Sequence, residues 1–256
     1  MTVLTNIRSV VRGEQTPGEF GTKVYRRLTG RRPPVRDYPF RDIEQLLYLK
    51  GKELGAKTIL DIGANAGQFA LNLRELGWDG RIASFEPLSD VHTILARHAQ
   101  DDPLWSVPPA MALGACDEER SINVSQNSLS SSLLDISDRT VDIMEATRYI
   151  SAQSTSVRRL DDVIPSQCEP PFAIKIDTQG FELEVLKGAT RTLDQTVALT
   201  VELSLFPVYT GAPSFVEVSQ LVCAAGFRCI ALTEAFVDVA RNEVLQIDAT
   251  FVRNQV

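Results

Sequence analysis

The sequence predicts an α/β fold built on a mostly parallel sheet that ends in an antiparallel strand, and three observations carry that prediction. The first is the stretch 58–69, TILDIGANAGQF, in which a short β-branched run closes at Asp61 and two glycines, Gly63 and Gly67, lead into the helical pattern AGQFALNLREL. A strand, a tight turn and a helix start leave backbone N–H groups unpaired and let a ligand approach the main chain. The second is the alternation of apolar strand-like runs with helical patterns, which means parallel strands joined by crossovers. The third is the final pair of runs, 227–233 and 244–253, joined by a hairpin-length connection with no helix between them. Such neighbours pair antiparallel, because a parallel crossover needs a dozen or more residues.

In order, residues 41–54 place Ile43, Leu46, Leu47, Leu49 and Leu54 near helical spacing, and Gly55 stops the helix. A strand at 58–62 follows, then a helix at 66–76 ended by Gly77, a strand at 81–85, a helix at 88–99 and an extended stretch near 106–113 interrupted by Pro108 and Pro109. From Gly114 the pattern changes. Residues 120–124 read as an added edge strand and 125–138, SQNSLSSSLLDISD, as a serine-rich loop bordering a site. A helix is predicted at 141–149, and 155–164 as a strand running into a short turn. Alternation resumes with a strand at 172–176, a helix at 180–191, a strand at 197–203 and a helix at 214–225. The expected organisation is a basic extension and packing helix at 1–55, then a domain at 56–256 carrying a serine-rich insertion near 120–150.

The 256 residues suffice for one large α/β domain without staples. Four cysteines (Cys116, Cys168, Cys223, Cys229) show no C-x-x-C pairing and there are only two histidines, His92 and His98, which argues against a zinc site or disulfide framework. The N-terminus lacks the apolar run of a secretory signal, so a cytoplasmic location is expected. A net charge of −7 disfavours nucleic acid. Residues 1–36 nonetheless carry eight Lys or Arg against two acids, leaving −13 on the rest. That leader is a solvated arm or a peripheral membrane contact.

Ligands in open α/β sheets bind beyond the carboxyl ends of the strands, where Asp61, Glu86, Asp177 and Glu202 all fall. Asp61 binds a ligand or caps the helix that follows. Glu86 closes the second apolar run, where an acid accepts hydrogen bonds from ribose hydroxyls. Glu182 and Glu184 stand in a first helical turn, where carboxylates favour the dipole whatever the function.

LDIGANAGQF, FEP at 85–87, ALG at 112–114, RRLDD at 158–162, KIDTQGFELEVLKGA at 175–189 and VEL at 201–203 together resemble the FkbM family of class I O-methyltransferases, over roughly residues 58–253. The resemblance implies a Rossmann-like, seven-stranded, mostly parallel sheet with an antiparallel last strand and helices on both faces. It implies S-adenosylmethionine as methyl donor and a hydroxyl acceptor on a sugar, glycolipid, macrolide or similar metabolite. Carried over by motif, Asp61, Gly63, Asn65 and Gly67 would surround the methionine and ribose of the donor, Glu86 would hold the ribose hydroxyls and Ala112 would edge the adenine. Asp177 and Glu202 are the catalytic candidates. Asp177 would take the acceptor proton, hold a divalent cation such as magnesium with Asp161 or Glu202 beside it, or bond the donor's amino group. A nicotinamide-dependent dehydrogenase is disfavoured by the missing third glycine and the antiparallel ending. A non-catalytic donor-binding subunit stays open.

Overall fold

The computed structural model describes residues 43–254; the basic leader at 1–36 lies outside them. In chain order the first half comprises α1 (Ile43–Glu53), β1 (Thr58–Ile62), α2 (Gln68–Leu76), β2 (Arg81–Phe85), α3 (Ser89–Ala99), β3 (Trp105–Ser106), β4 (Ala112–Leu113), β5 (Glu118–Ser125), α4 (Asp138–Ile143) and β6 (Tyr149–Arg158). The second half comprises α5 (Leu160–Val163), β7 (Phe172–Ile176), α6 (Glu182–Lys187), α7 (Thr190–Asp194), β8 (Thr196–Ser204), α8 (Phe215–Ala224), β9 (Phe227–Asp238) and β10 (Glu243–Arg253).

Seven strands form the main sheet in the order β3-β2-β1-β7-β8-β10-β9. β1 runs parallel to β2 and β7, and β7 parallel to β8. β10 is antiparallel to both β8 and β9, so the last strand is inserted in the sheet as its short connection requires. Strand alternation sends Leu60, Ile62, Phe85, Ile174, Ile176, Leu199 and Val201 to one face, where α6, α7 and α8 cover them with Val185, Leu186, Leu193, Val218 and Val222. Ile59, Ile82, Ala173 and Ala198 point the other way, under Leu47 of α1, Phe69 and Leu73 of α2 and Leu95 of α3. The parallel strands are buried on both sides, as their near-continuous apolar sequences demand.

Four sequence expectations are corrected. The stretch near 106–113 is two strands, since β3 pairs with β2 while β4 pairs with β6 in a separate three-stranded sheet ordered β4-β6-β5. Pro108 and Pro109 lie in the break, where neither can donate to a ladder. The added strand, longer than expected at Glu118–Ser125, pairs with β6 and is no edge of the main sheet. The helix expected at 141–149 is Asp138–Ile143, because the Ser137 side chain accepts from Thr140 N and starts it early. The helix expected at 180–191 is two pieces, broken at Gly188, where an added Cβ would sit 1.9 Å from the Gly114 carbonyl oxygen. Among the described residues no helix is long and apolar enough to cross a membrane.

Candidate functional site

The carboxyl ends of β1, β2 and β7 open into a cleft whose empty space, open mouth included, is about 630 Å³. Gly63, Glu86 and Asp177 floor it, Met111, Ala112 and Leu113 form one side, and Ser128, Leu129, Ser131 and Leu133 of the serine-rich segment form another.

Gly63 turns the chain at φ +73°, and a Cβ there would lie 1.8 Å from the Asp177 carbonyl oxygen. The turn continues through Asn65, also left-handed at φ +47°. Its N–H donates to Glu86 Oε2 at 2.9 Å, while Leu88 N donates to Oε1 at 2.8 Å. Glu86 is thus pinned at both oxygens from the loops after β1 and β2, and a carboxylate so held keeps lone pairs for a ligand. Burial pushes its carboxyl up to about 7 in spite of the two amide bonds. The Asn65 side chain donates to Ser128 Oγ at 3.1 Å, joining the turn to the serine-rich wall.

Three candidate residues do not line the cleft. Asp61 is completely buried inside β1, accepting from Ser84 Oγ at 3.2 Å, which in turn accepts from Trp105 Nε1 at 2.9 Å. Its other oxygen faces Lys175 Nζ at 3.5 Å, and burial raises its titration against that cation. It caps no helix either, since α2 starts after Gly67 without a side-chain cap. Gly67 answers to packing, as a Cβ there would meet Leu95 at 2.9 Å and the Trp105 ring at 3.0 Å. Glu202 sits within β8 behind Gln179, accepting from Gln179 Nε2 at 2.9 Å and Gln246 Nε2 at 2.8 Å. Burial, then the charges of Asp177, Glu182 and Asp248, hold its carboxyl well above the ordinary range.

Asp177 does reach the cleft. Its Oδ1 accepts from Gln179 Nε2 at 2.5 Å and its Oδ2 lies 3.4 Å from Lys175 Nζ. Lys175 also donates to the Gly63 carbonyl at 2.8 Å. Burial alone would lower the ammonium, but Asp177 and Asp61 outweigh it and hold its titration above the ordinary value.

The remaining candidates have structural work. Asp161 accepts from Thr192 N at 2.9 Å and Arg191 N at 3.1 Å at the start of α7. Glu182 Oε1 takes Thr178 N and Gly180 N, closing the turn after β7, and Glu184 pairs with Lys187. His92 and His98 contact the Pro108 and Ala66 carbonyls through ring nitrogens. Among the described residues no group of three or more His, Cys, Asp or Glu side chains is placed to hold a metal ion. Sequence reasoning missed Lys175, Gln179 and Tyr209. The signal for the first was a lysine inside the apolar run FAIKI, which must find partners when buried.

The cleft fits a ligand with hydroxyls for Glu86, an apolar ring system between Leu88, Met111 and Leu113, and positive charge near its two carboxylates; S-adenosylmethionine has all three. The profile of the Methyltransferase FkbM domain matches residues 61–229. No curated protein matches. A Klebsiella pneumoniae structure provisionally named an O-methyltransferase is 13% identical, aligned over 91% of this chain and 96% of that one with a TM-score of 0.47. One from Listeria monocytogenes, provisionally named an S-adenosylmethionine-dependent methyltransferase, is 9% identical over 80% and 98%, with 0.45. Aeropyrum pernix fibrillarin, in complex with natively bound S-adenosylmethionine, is 12% identical over 77% and 66%, with 0.41. The domain match spans most of the chain, including the whole cleft floor, and so the chain belongs to the FkbM methyltransferase family of S-adenosylmethionine-dependent methyltransferases.

Proposed function

We propose that the protein methylates a hydroxyl of a small neutral acceptor, a sugar of a glycolipid, glycoside or other secondary metabolite. The observation that carries this reading is the charge of the cleft: among the described residues its ionisable lining side chains are Glu86 and Asp177, with no Lys, Arg or His. Such a lining favours a cationic donor and an uncharged acceptor over a phosphate-rich one. Cytoplasmic location and absence of a nucleic-acid partner belong to the same reading.

Bound S-adenosylmethionine supplies a methyl group already activated on a sulfonium. The chain then has to align an acceptor oxygen and receive its proton, and alignment supplies much of the barrier reduction. Glu86, held by two backbone amides, accepts from ribose hydroxyls. The apolar walls exclude water, and Ser128 and Ser131 offer hydroxyls to a polyol. Asp177, fixed from both sides, accepts the acceptor proton; Glu202, out of the cleft, acts on Asp177 through the Gln179 amide and through its charge.

The test is incubation of the purified protein with S-adenosylmethionine and a panel of deoxysugar glycosides, with mass spectrometry of the products. O-Methylated product is expected. Asp177→Asn should lower turnover by a factor of roughly 10² or more while leaving S-adenosylhomocysteine affinity intact. Methylation of nitrogen instead of oxygen overturns the acceptor class, and wild-type turnover in Asp177→Asn overturns the role given to that carboxylate.

A further inference from the structure

Gln179 occupies a backbone conformation that side chains rarely adopt, at φ +54°, and every polar atom of its side chain is engaged. Nε2 donates to Asp177 Oδ1 at 2.5 Å and to Glu202 Oε2 at 2.9 Å. Oε1 accepts from Tyr209 Oη at 2.5 Å, and the main-chain oxygen accepts from Ser132 Oγ at 2.6 Å. These partners determine which way the amide points. Two carboxylates flank one end, and only the nitrogen, with two donors and no acceptor, can face both. The oxygen must then face Tyr209, whose buried hydroxyl must donate. Turning the amide over would set its oxygen against carboxylate oxygens and deprive the Tyr209 hydroxyl of its Oε1 acceptor, so the arrangement resists it.

We propose that Gln179 is a positioning residue for Asp177: it pins one carboxylate oxygen through an amide whose orientation Tyr209 fixes, and so presents the rest of that carboxylate to the cleft. The same residue ties Asp177 to the serine-rich wall through Ser132 and through Tyr209, whose hydroxyl also lies 3.4 Å from the Ser130 carbonyl. The inference rests on the reading of Asp177 as proton acceptor, and its test does not use turnover.

The groups that act on Asp177 besides Gln179 are Lys175 on β7, Asp61 on β1, Glu202 on β8, Asp248 on β10 and Glu182 on α6, with Tyr209 behind the amide. Gln179→Glu removes the donor from Asp177 and sets an acceptor in its place, while Tyr209 can still donate. Following the Asp177 carboxyl carbon by NMR, its titration should move to higher pH by about one pH unit or more in Gln179→Glu. In Tyr209→Phe, which reports through the native glutamine, the two Gln179 amide protons should lose the downfield positions that carboxylate partners impose. S-Adenosylhomocysteine affinity should hold in Tyr209→Phe, because Tyr209 does not line the cleft. A folded Gln179→Glu protein in which Asp177 titrates as in the unaltered chain overturns the proposal. So does a Tyr209→Phe amide spectrum identical to the original, which decides the matter if Gln179→Glu does not fold. Retained turnover in Asp177→Asn would instead remove the proton-acceptor reading and leave this coupling standing.

Discussion

The main sheet and the wall at 118–158 enclose one cleft, yet they are held by different forces. β1 and β7 are buried at all five positions, and even the polar residues of the sheet are aligned: Ser84, Asp61, Lys175, Thr200 and Thr250 stand in register across five neighbouring strands, all buried. The wall buries few apolar side chains, Ile122, Val141 and Val157 among them. It is stitched by short polar groups instead: Ser125 Oγ to the Ala146 carbonyl at 3.0 Å, Leu134 N to Ser132 Oγ at 3.0 Å, Asn123 Nδ2 to the Leu134 carbonyl at 3.2 Å. Fully burying an apolar side chain stabilises by about 1.5–3 kcal/mol, whereas a typical internal hydrogen bond contributes about 1 kcal/mol net. The sheet is therefore a cooperative frame for the donor side, and the wall a set of individually weak fastenings beside it.

The sharpest way to break that contrast is at the frame. Gly63→Ala combines positive φ with a Cβ 1.8 Å from the Asp177 carbonyl, and should cost more than about 4 kcal/mol or prevent folding, read by chemical denaturation. A near-neutral result would show that the junction of β1 and β7 yields as easily as the wall.

Next in size is the pH dependence of two acids that packing desolvates. Asp248 and Glu182 are pushed up to about 7, chiefly by burial. A folded-state value raised above the unfolded one gives stability that is fully present below the unfolded value and is lost as pH rises through about 7. Denaturation midpoints should therefore fall from pH 5 to pH 8. Asp248→Asn should reduce that fall by on the order of 2 kcal/mol, allowing for the part-exposed side chain. An unchanged slope would mean that Asp248 titrates normally.

Glu86→Ala tests where frame and ligand meet. It removes the carboxylate proposed to accept from the ribose hydroxyls and leaves the Asn65 and Leu88 amides unpartnered, so donor affinity should drop by about 1.5–3 kcal/mol, measured by calorimetry with S-adenosylhomocysteine. Unaltered binding would move the donor away from this carboxylate.

The smallest effect belongs to the wall. Ser132→Ala deletes the bonds to the Gln179 carbonyl and from Leu134 N, and should destabilise by about 1 kcal/mol. Its mark is local: hydrogen exchange across 126–137 should speed up while β1 and β7 stay protected. Faster exchange in the strands as well would make frame and wall a single cooperative unit.

How far the sequence could be read follows the same division. Five-residue apolar runs bounded by acids and glycines located β1, β2 and β7 to the residue, and the helix-free, hairpin-length connection between the runs at 227–233 and 244–253 required the antiparallel pairing of β10, although β9 runs on to Asp238. The wall had no such period. Serines and asparagines fasten to backbone groups wherever the chain brings them, so the boundaries of α4 and β6 could not be read from spacing.

The sequence by itself determined that four acids come to the ends of neighbouring strands, and only the tertiary structure decided which of them reach the cleft. Glu86 and Asp177 each follow the last residue of their strand and stand at the cleft, whereas Asp61 and Glu202 lie inside β1 and β8. The difference is one or two residues of strand length. A carboxylate still within the strand is held on the covered face of the sheet, and there Lys175 faces Asp61 while Gln179 and Gln246 hold Glu202. One step past the ladder the chain is released from strand alternation and can turn its side chain to the ligand. Where a strand ends is set by its neighbours' hydrogen bonds, which no single run of residues specifies.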